Sequence, residues 1–301
     1  MRTSDLHRRT RNFRGGDGLE LVADKVGPAD GPPVIFLHGW GQTRHAWGAT
    51  LEQLGGRGWR AISVDLRGHG DSAWSPDADY AYEAFKRDIL VIVSQLGAPA
   101  ILVGASLGGM STLLAAAECD PGSSARIVLV DVTPRVRPDG VQRIFDFMAA
   151  GAEGFETLEE AAEAVAGYLP QRARRPEPMG LRTNVRLGRD GRYRWHWDPR
   201  FLELERFAPS SADSLHSHMA EAREQMLAAA EAVPVPILLV HGRLSDIVDD
   251  AAVEELLSTV DDGVYINVGG AGHMVAGDSN DDFTQALVEF LEGRPPRAST
   301  P

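Results

Sequence analysis

Two patterns of apolar residues take turns along this chain. Short, largely apolar runs occur at Val34–Leu37, Ala61–Val64, Ile101–Val103, Ile127–Val130, Pro236–Val240 and Val264–Val268, broken only by Ser63 and Asn267. Runs of that length and continuity predict strands buried on both faces. Between them, apolar residues recur at helical spacing: Trp47, Leu51 and Leu54; Phe85, Ile89, Ile92 and Leu96; Met110, Leu113, Leu114 and Ala117; Val253, Leu256, Leu257 and Val260; and Phe283, Leu287, Phe290 and Leu291. Each set predicts a helix with one apolar stripe. Upstream, Leu19–Val22 follows Gly-Gly-Asp-Gly and reads as a strand entered through a hairpin turn. Strand and helix in alternation predict an α/β fold. It is a mostly parallel, doubly wound sheet with helices on both faces and ligands beyond the carboxyl ends of the strands.

The alternation stops after Asp131-Val132-Thr133-Pro134 and resumes at Pro236. The roughly hundred residues between are too many for a loop. They carry helical stripes at Val141, Ile144, Phe145 and Met148, at Leu158, Ala162, Val165 and Leu169, and at Leu215, Met219, Ala222 and Met226. The reading is a helical cap over residues 135–232, inserted after the strand that follows the Ser106 helix, with core segments 1–134 and 233–301 on either side. Within the cap, Gln171–Arg194 is rich in Arg, Pro and Gly and reads as irregular, returning through Trp195-His196-Trp197-Asp198-Pro199.

The chemistry starts at Gly104-Ala105-Ser106-Leu107-Gly108-Gly109, where a strand reverses into a helix. Glycines relieve crowding in so sharp a turn and leave Ser106 exposed at the strand end. The backbone N–H of Leu107 points into the same space from the start of a helix. A serine hydroxyl is a weak nucleophile at neutral pH and needs a base within reach, itself oriented by an acid. His273, in the Gly-rich turn Gly269-Gly270-Ala271-Gly272-His273-Met274 after the last strand, is the candidate base.

Four motifs in order, His38-Gly39-Trp40-Gly41, Asp65-x-Arg67-Gly68-His69-Gly70-x-Ser72, Gly104-x-Ser106-x-Gly108-Gly109 and Gly272-His273, resemble the α/β-hydrolase superfamily over nearly the whole chain. The likeness is to its capped esterase, lactonase and C–C hydrolase-like members. It implies an oxyanion hole from the backbone N–H groups of Trp40 and Leu107, and a structural role for the Asp65–Ser72 loop, leaving His69 and Asp71 outside the chemistry. It leaves two places for the acid. One is Asp246, although the usual Gly-x-x-Asp spacing falls on Ser245 and the loop must absorb one residue. The other is Asp131, after the strand that follows the Ser106 helix. A serine nucleophile sets the chain apart from epoxide hydrolases and haloalkane dehalogenases, which use aspartate. The implied reaction is hydrolysis of a small to medium apolar ester or lactone through an acyl-enzyme. C–C bond hydrolysis, perhydrolysis and acyl transfer share the same triad, and a non-catalytic ligand-binding relative is the remaining alternative. Gly39, Trp40, Phe145, Trp195, Trp197 and Met274, together with Met148 and Tyr168, are the candidate pocket residues.

Composition narrows the partners. Forty-three acidic against 30 basic residues give a formal charge of −13, which argues against nucleic acid or an anionic membrane as partner. A lone cysteine, Cys119, excludes an internal disulfide framework and fits a cytoplasmic setting. The N-terminus lacks an apolar signal region, and no apolar stretch is long enough to span a bilayer. Histidines are scattered without ligand spacing, so neither metal nor cofactor is expected. The expected partner is a small ester or lactone, bound by a monomer or homodimer.

Overall fold

The computed structural model describes residues 7–120, 122–169, 177–204, 211–268 and 281–294. Its main sheet has eight strands: β1 (Arg9–Arg14), β2 (Glu20–Val26), β3 (Pro33–Leu37), β4 (Arg60–Val64), β5 (Ala100–Ala105), β6 (Ser124–Val130), β9 (Ile237–Gly242) and β10 (Gly263–Val268). They lie in the order β1-β2-β4-β3-β5-β6-β9-β10. From β4 to β10 every neighbour is parallel, while β1 and β2 are antiparallel.

Residue alternation within the strands explains the two cores. Ile35 and Leu37 of β3 join Leu102 and Leu129 in one cluster, with Phe85, Ile89 and Ile92 of α2 (Tyr82–Leu96), Leu113 of α3 (Leu107–Glu118) and Leu256 of α7 (Asp250–Thr259). Val34 and Phe36 face the other way, into Leu51 and Leu54 of α1 (Gly48–Gly56) and Phe283 and Leu287 of α8 (Asp281–Leu291). A sheet covered on both faces needs apolar residues at every position.

Three helices, α4 (Pro138–Ala150), α5 (Leu158–Tyr168) and α6 (Ala212–Ala232), lie between β6 and β9. The stretch expected to be irregular holds a small antiparallel hairpin, β7 (Val185–Leu187) with β8 (Tyr193–Trp195). Strands of three residues are too short to declare an alternation, although Asp190-Gly191, with Gly191 at φ +82°, is a turn signal. The chain after this hairpin is stitched to the Asp65–Ser72 loop. Gly70 N–H donates to His196 O at 2.7 Å and Asp198 N–H to Gly68 O at 2.8 Å. Buried Tyr80 donates its hydroxyl to Asp198, whose carboxylate also pairs with Arg200. Among the described residues no helix is long and apolar enough to cross a membrane.

Candidate active site

Ser106 stands between the end of β5 and the start of α3 with φ +47° and ψ −117°, a conformation that non-glycine residues rarely adopt. The flanking glycines make the turn possible. A Cβ on Gly104 would come within 2.4 Å of Gly108 O, and one on Gly108 within 2.4 Å of Leu37 O. Thus α3 begins with its backbone against the end of β3, which brings Ser106 beside the turn that follows β3. Gly108→Ala should therefore lower stability by about 3 kcal/mol, the upper end for overpacking, because the obstacle is main chain. Urea denaturation measures this, and a loss under 1 kcal/mol would mean that the close approach does not constrain the turn.

The turn His38–Gln42 is pinned by side chains. His38 Nδ1–H donates to Gly39 O at 2.8 Å, and its Nε2 accepts from Leu66 N–H at 3.0 Å. His69 Nδ1–H donates to Arg67 O at 3.0 Å, while its Nε2 accepts from Gly41 N–H at 3.2 Å. Gln42 Oε1 accepts from Gly39 N–H at 2.9 Å. Below the turn, buried Arg44 pairs with Asp24, Asp65 and Asp71.

Both histidines are fully buried and work as neutral acceptors. Burial pushes His38 down to about 4, and burial with the neighbouring His38 pushes His69 down to about 3. The unfolded chain therefore binds these protons at higher pH than the native one. Their contribution is complete above about pH 6.5 and is lost as pH falls toward the folded values, by about 1.4 kcal/mol per pH unit for each histidine. Unfolding free energy measured by urea between pH 7 and 5 should fall accordingly; a flat profile between pH 6.5 and 5.5 would contradict neutral burial.

The two candidate acids have different surroundings. Asp131 follows β6, the strand next to that of Ser106, and is fully buried with φ +49°. Its N–H donates to Val240 O at 2.7 Å. Its carboxylate accepts from Gly242 N–H at 3.0 Å and from Ser245 Oγ–H at 2.6 Å. Asp246 instead turns toward α4, where Arg143 Nη1 lies 2.9 Å from its Oδ2. Together with burial, its charge pushes the Tyr168 phenol above the usual range. His273 and Met274 lie outside the described residues; β10 ends at Val268, five positions before this histidine.

A cavity of about 780 Å³ opens above Ser106. Gly39, Trp40, Leu107, Met148, Tyr168 and Trp195 are in its wall. Two expected pocket residues are not. Phe145 falls outside the arc of α4 that faces the cavity, which runs through Val141, Ile144, Phe147 and Met148. Phe147 takes the aromatic position, stacked on Tyr168 with ring centroids 4.4 Å apart. Trp197 is 4% exposed and packs edge-on behind Trp40 at 5.8 Å, because its backbone bridges to His69 and carries the ring inward. Gln42, also in the wall, is a site residue that the motifs did not single out, whereas His69 holds the turn from the Asp65–Ser72 loop without entering the wall. A side-chain acceptor three residues after Gly39 was the available signal for Gln42.

The profile of the Alpha/beta hydrolase family matches residues 34–286. The chain is 30% identical over 270 residues to Esterase Rv0045c of Mycobacterium tuberculosis, spanning 87% of this chain and 82% of that protein. It is 31% identical over 274 residues to sn-1-specific diacylglycerol lipase ABHD11 of Mus musculus, spanning 88% and 82%. The crystal structure of E-2-(acetamidomethylene)succinate hydrolase superposes with a TM-score of 0.76 at 25% identity, covering 95% of this chain and all 100% of that one.

Proposed function

Since the chain belongs to the alpha/beta hydrolase family, we propose that it is a serine hydrolase cleaving a neutral, apolar carboxylic ester or lactone through an acyl-enzyme on Ser106. The observation that carries this reading is the strained Ser106, at φ +47°, in the wall of the 780 Å³ cavity beside Gly39, Trp40 and Leu107. Strain of this kind is held where a fold over-determines it, and here it turns a hydroxyl out of the strand end.

Ser106 Oγ attacks the carbonyl carbon as its proton passes to His273. The carbonyl oxygen becomes an oxyanion that accepts from the N–H groups of Trp40 and Leu107, donors fixed before the charge develops. Collapse expels the alcohol, which takes the proton from His273. A water activated by the same histidine then releases the acid. Asp131 is the acid we assign to orient His273. Ser245 occupies the usual acid position of the Gly-x-x-Asp pattern and donates its hydroxyl to Asp131, which supports a carboxylate supplied from β6.

The cavity wall favours uncharged, apolar substrates. Ile144, Phe147, Val165 and Trp195 supply apolar area, while Glu177 and Glu221 in the lining would repel an anionic acid. Esterase and diacylglycerol lipase relatives act in the same direction. The test is turnover of a chromogenic neutral ester by the wild type and by Ser106→Ala.

A further inference from the structure

We propose that Gln42 is a positioning residue of the oxyanion hole: its carboxamide oxygen, holding the N–H of Gly39, sets the direction in which the Trp40 N–H points. This rests on the serine-hydrolase reading above.

Gln42 is only 8% exposed, although it is in the cavity wall. Its Oε1 lies 2.9 Å from Gly39 N, and its own N–H closes the turn onto Gly39 O at 3.2 Å. A Cβ on Gly39 would stand 3.2 Å from Ser106 Cβ and 3.3 Å from Gln42 Oε1, so the same glycine touches both the nucleophile and the carboxamide. On the other side of Trp40, Gly41 N–H is held by His69 Nε2 at 3.2 Å, with Gly41 at φ +77°. The peptide carrying the Trp40 N–H therefore lies between two N–H groups, each tied to a side-chain acceptor. Its own carbonyl, Gly39 O, accepts from His38 Nδ1–H at 2.8 Å and from Gln42 N–H at 3.2 Å, and the two flanking bonds fix the Cα atoms about which it would turn. A donor to a developing oxyanion works only when its direction is fixed beforehand, and losing one such donor costs about 10²- to 10³-fold in kcat. Loosening one costs less.

Gln42→Met keeps length and volume but has no acceptor for Gly39. We expect kcat for a neutral ester to fall about 30-fold with KM within about twofold, a fraction of the loss from deleting a donor. The second readout uses two inhibitors of the same carbon skeleton. A trifluoromethyl ketone takes up the Ser106 oxygen at its carbonyl carbon and places an oxyanion in the hole. The corresponding secondary alcohol does not react. Affinity for the ketone should fall by the same factor as kcat, while affinity for the alcohol and the melting temperature stay near wild type. Unchanged kcat overturns the proposal, and so does an equal loss of affinity for both inhibitors, which is what a merely structural residue gives. If the methionine variant does not fold, Gln42→Leu is read in the same way, and failure of both to fold also overturns it. A wild type that neither hydrolyses esters nor prefers the ketone to the alcohol would instead remove the serine-hydrolase reading.

Discussion

Ser106→Ala is expected to lower kcat for a chromogenic neutral ester by about five to six orders of magnitude, as loss of a triad serine does. In the proposed mechanism this hydroxyl forms the acyl-enzyme, so the variant would be left with what the oxyanion hole and binding provide, about 10³- to 10⁴-fold over water. Alanine keeps the Cβ and therefore the same backbone strain at φ +47°, so the variant should melt with the wild type. KM should change little, since the deleted oxygen contributes a small part of a wall as large as that of the 780 Å³ cavity. Turnover within tenfold of wild type would remove Ser106 from the chemistry and, with it, hydrolysis by acyl transfer.

Much of this architecture is legible in the sequence because a doubly covered sheet leaves an unusual trace. The runs Val34–Leu37 and Ile127–Val130 are apolar at every position and lie in β3 and β6, buried on both faces. The edge strand β1 leaves no such trace. Its sequence, Arg-Thr-Arg-Asn-Phe-Arg, is exposed at nearly every position, charged as an edge must be to discourage pairing with another chain. The hairpin β7–β8 is hidden by its brevity.

In the site, what sequence conveys is local. The Ser106 turn and the turn after β3 are each encoded by contiguous residues, so motifs find them. Orientation and long-range pairing are not encoded that way. Phe145 and Phe147 are two positions apart on one helix, and only the tilt of α4 against its neighbours decides that Phe147 meets Tyr168 and the cavity. Trp197 is drawn behind Trp40 by a bridge to His69, 128 positions earlier by their numbering. The same limit applies to the acid. Spacing leaves both Asp246, one residue off the usual pattern, and Asp131 open, because each follows a strand of the sheet.

The surroundings of the two carboxylates make their exchange the second large effect. Asp131→Asn is expected to lower kcat by about 10⁴-fold, as an amide does when it replaces the acid that fixes the tautomer of a catalytic histidine. Asp246→Asn should remain within about tenfold of wild type. Asp131 directly follows β6, next to the strand of Ser106, with its carboxylate fixed by Gly242 N–H and Ser245 Oγ–H. An asparagine there keeps the shape but carries an NH₂ that cannot accept from both of these donors and a histidine. Asp246 is engaged with Arg143 of α4, so its loss should alter that helix contact and the Tyr168 wall, felt in KM more than in kcat. Steady-state kinetics of both variants on one neutral ester decides the matter. The reverse ranking would transfer the acid to Asp246 and leave the Ser245–Asp131 bond as a structural tie between β6 and β9, and two small effects would mean that neither carboxylate orients His273.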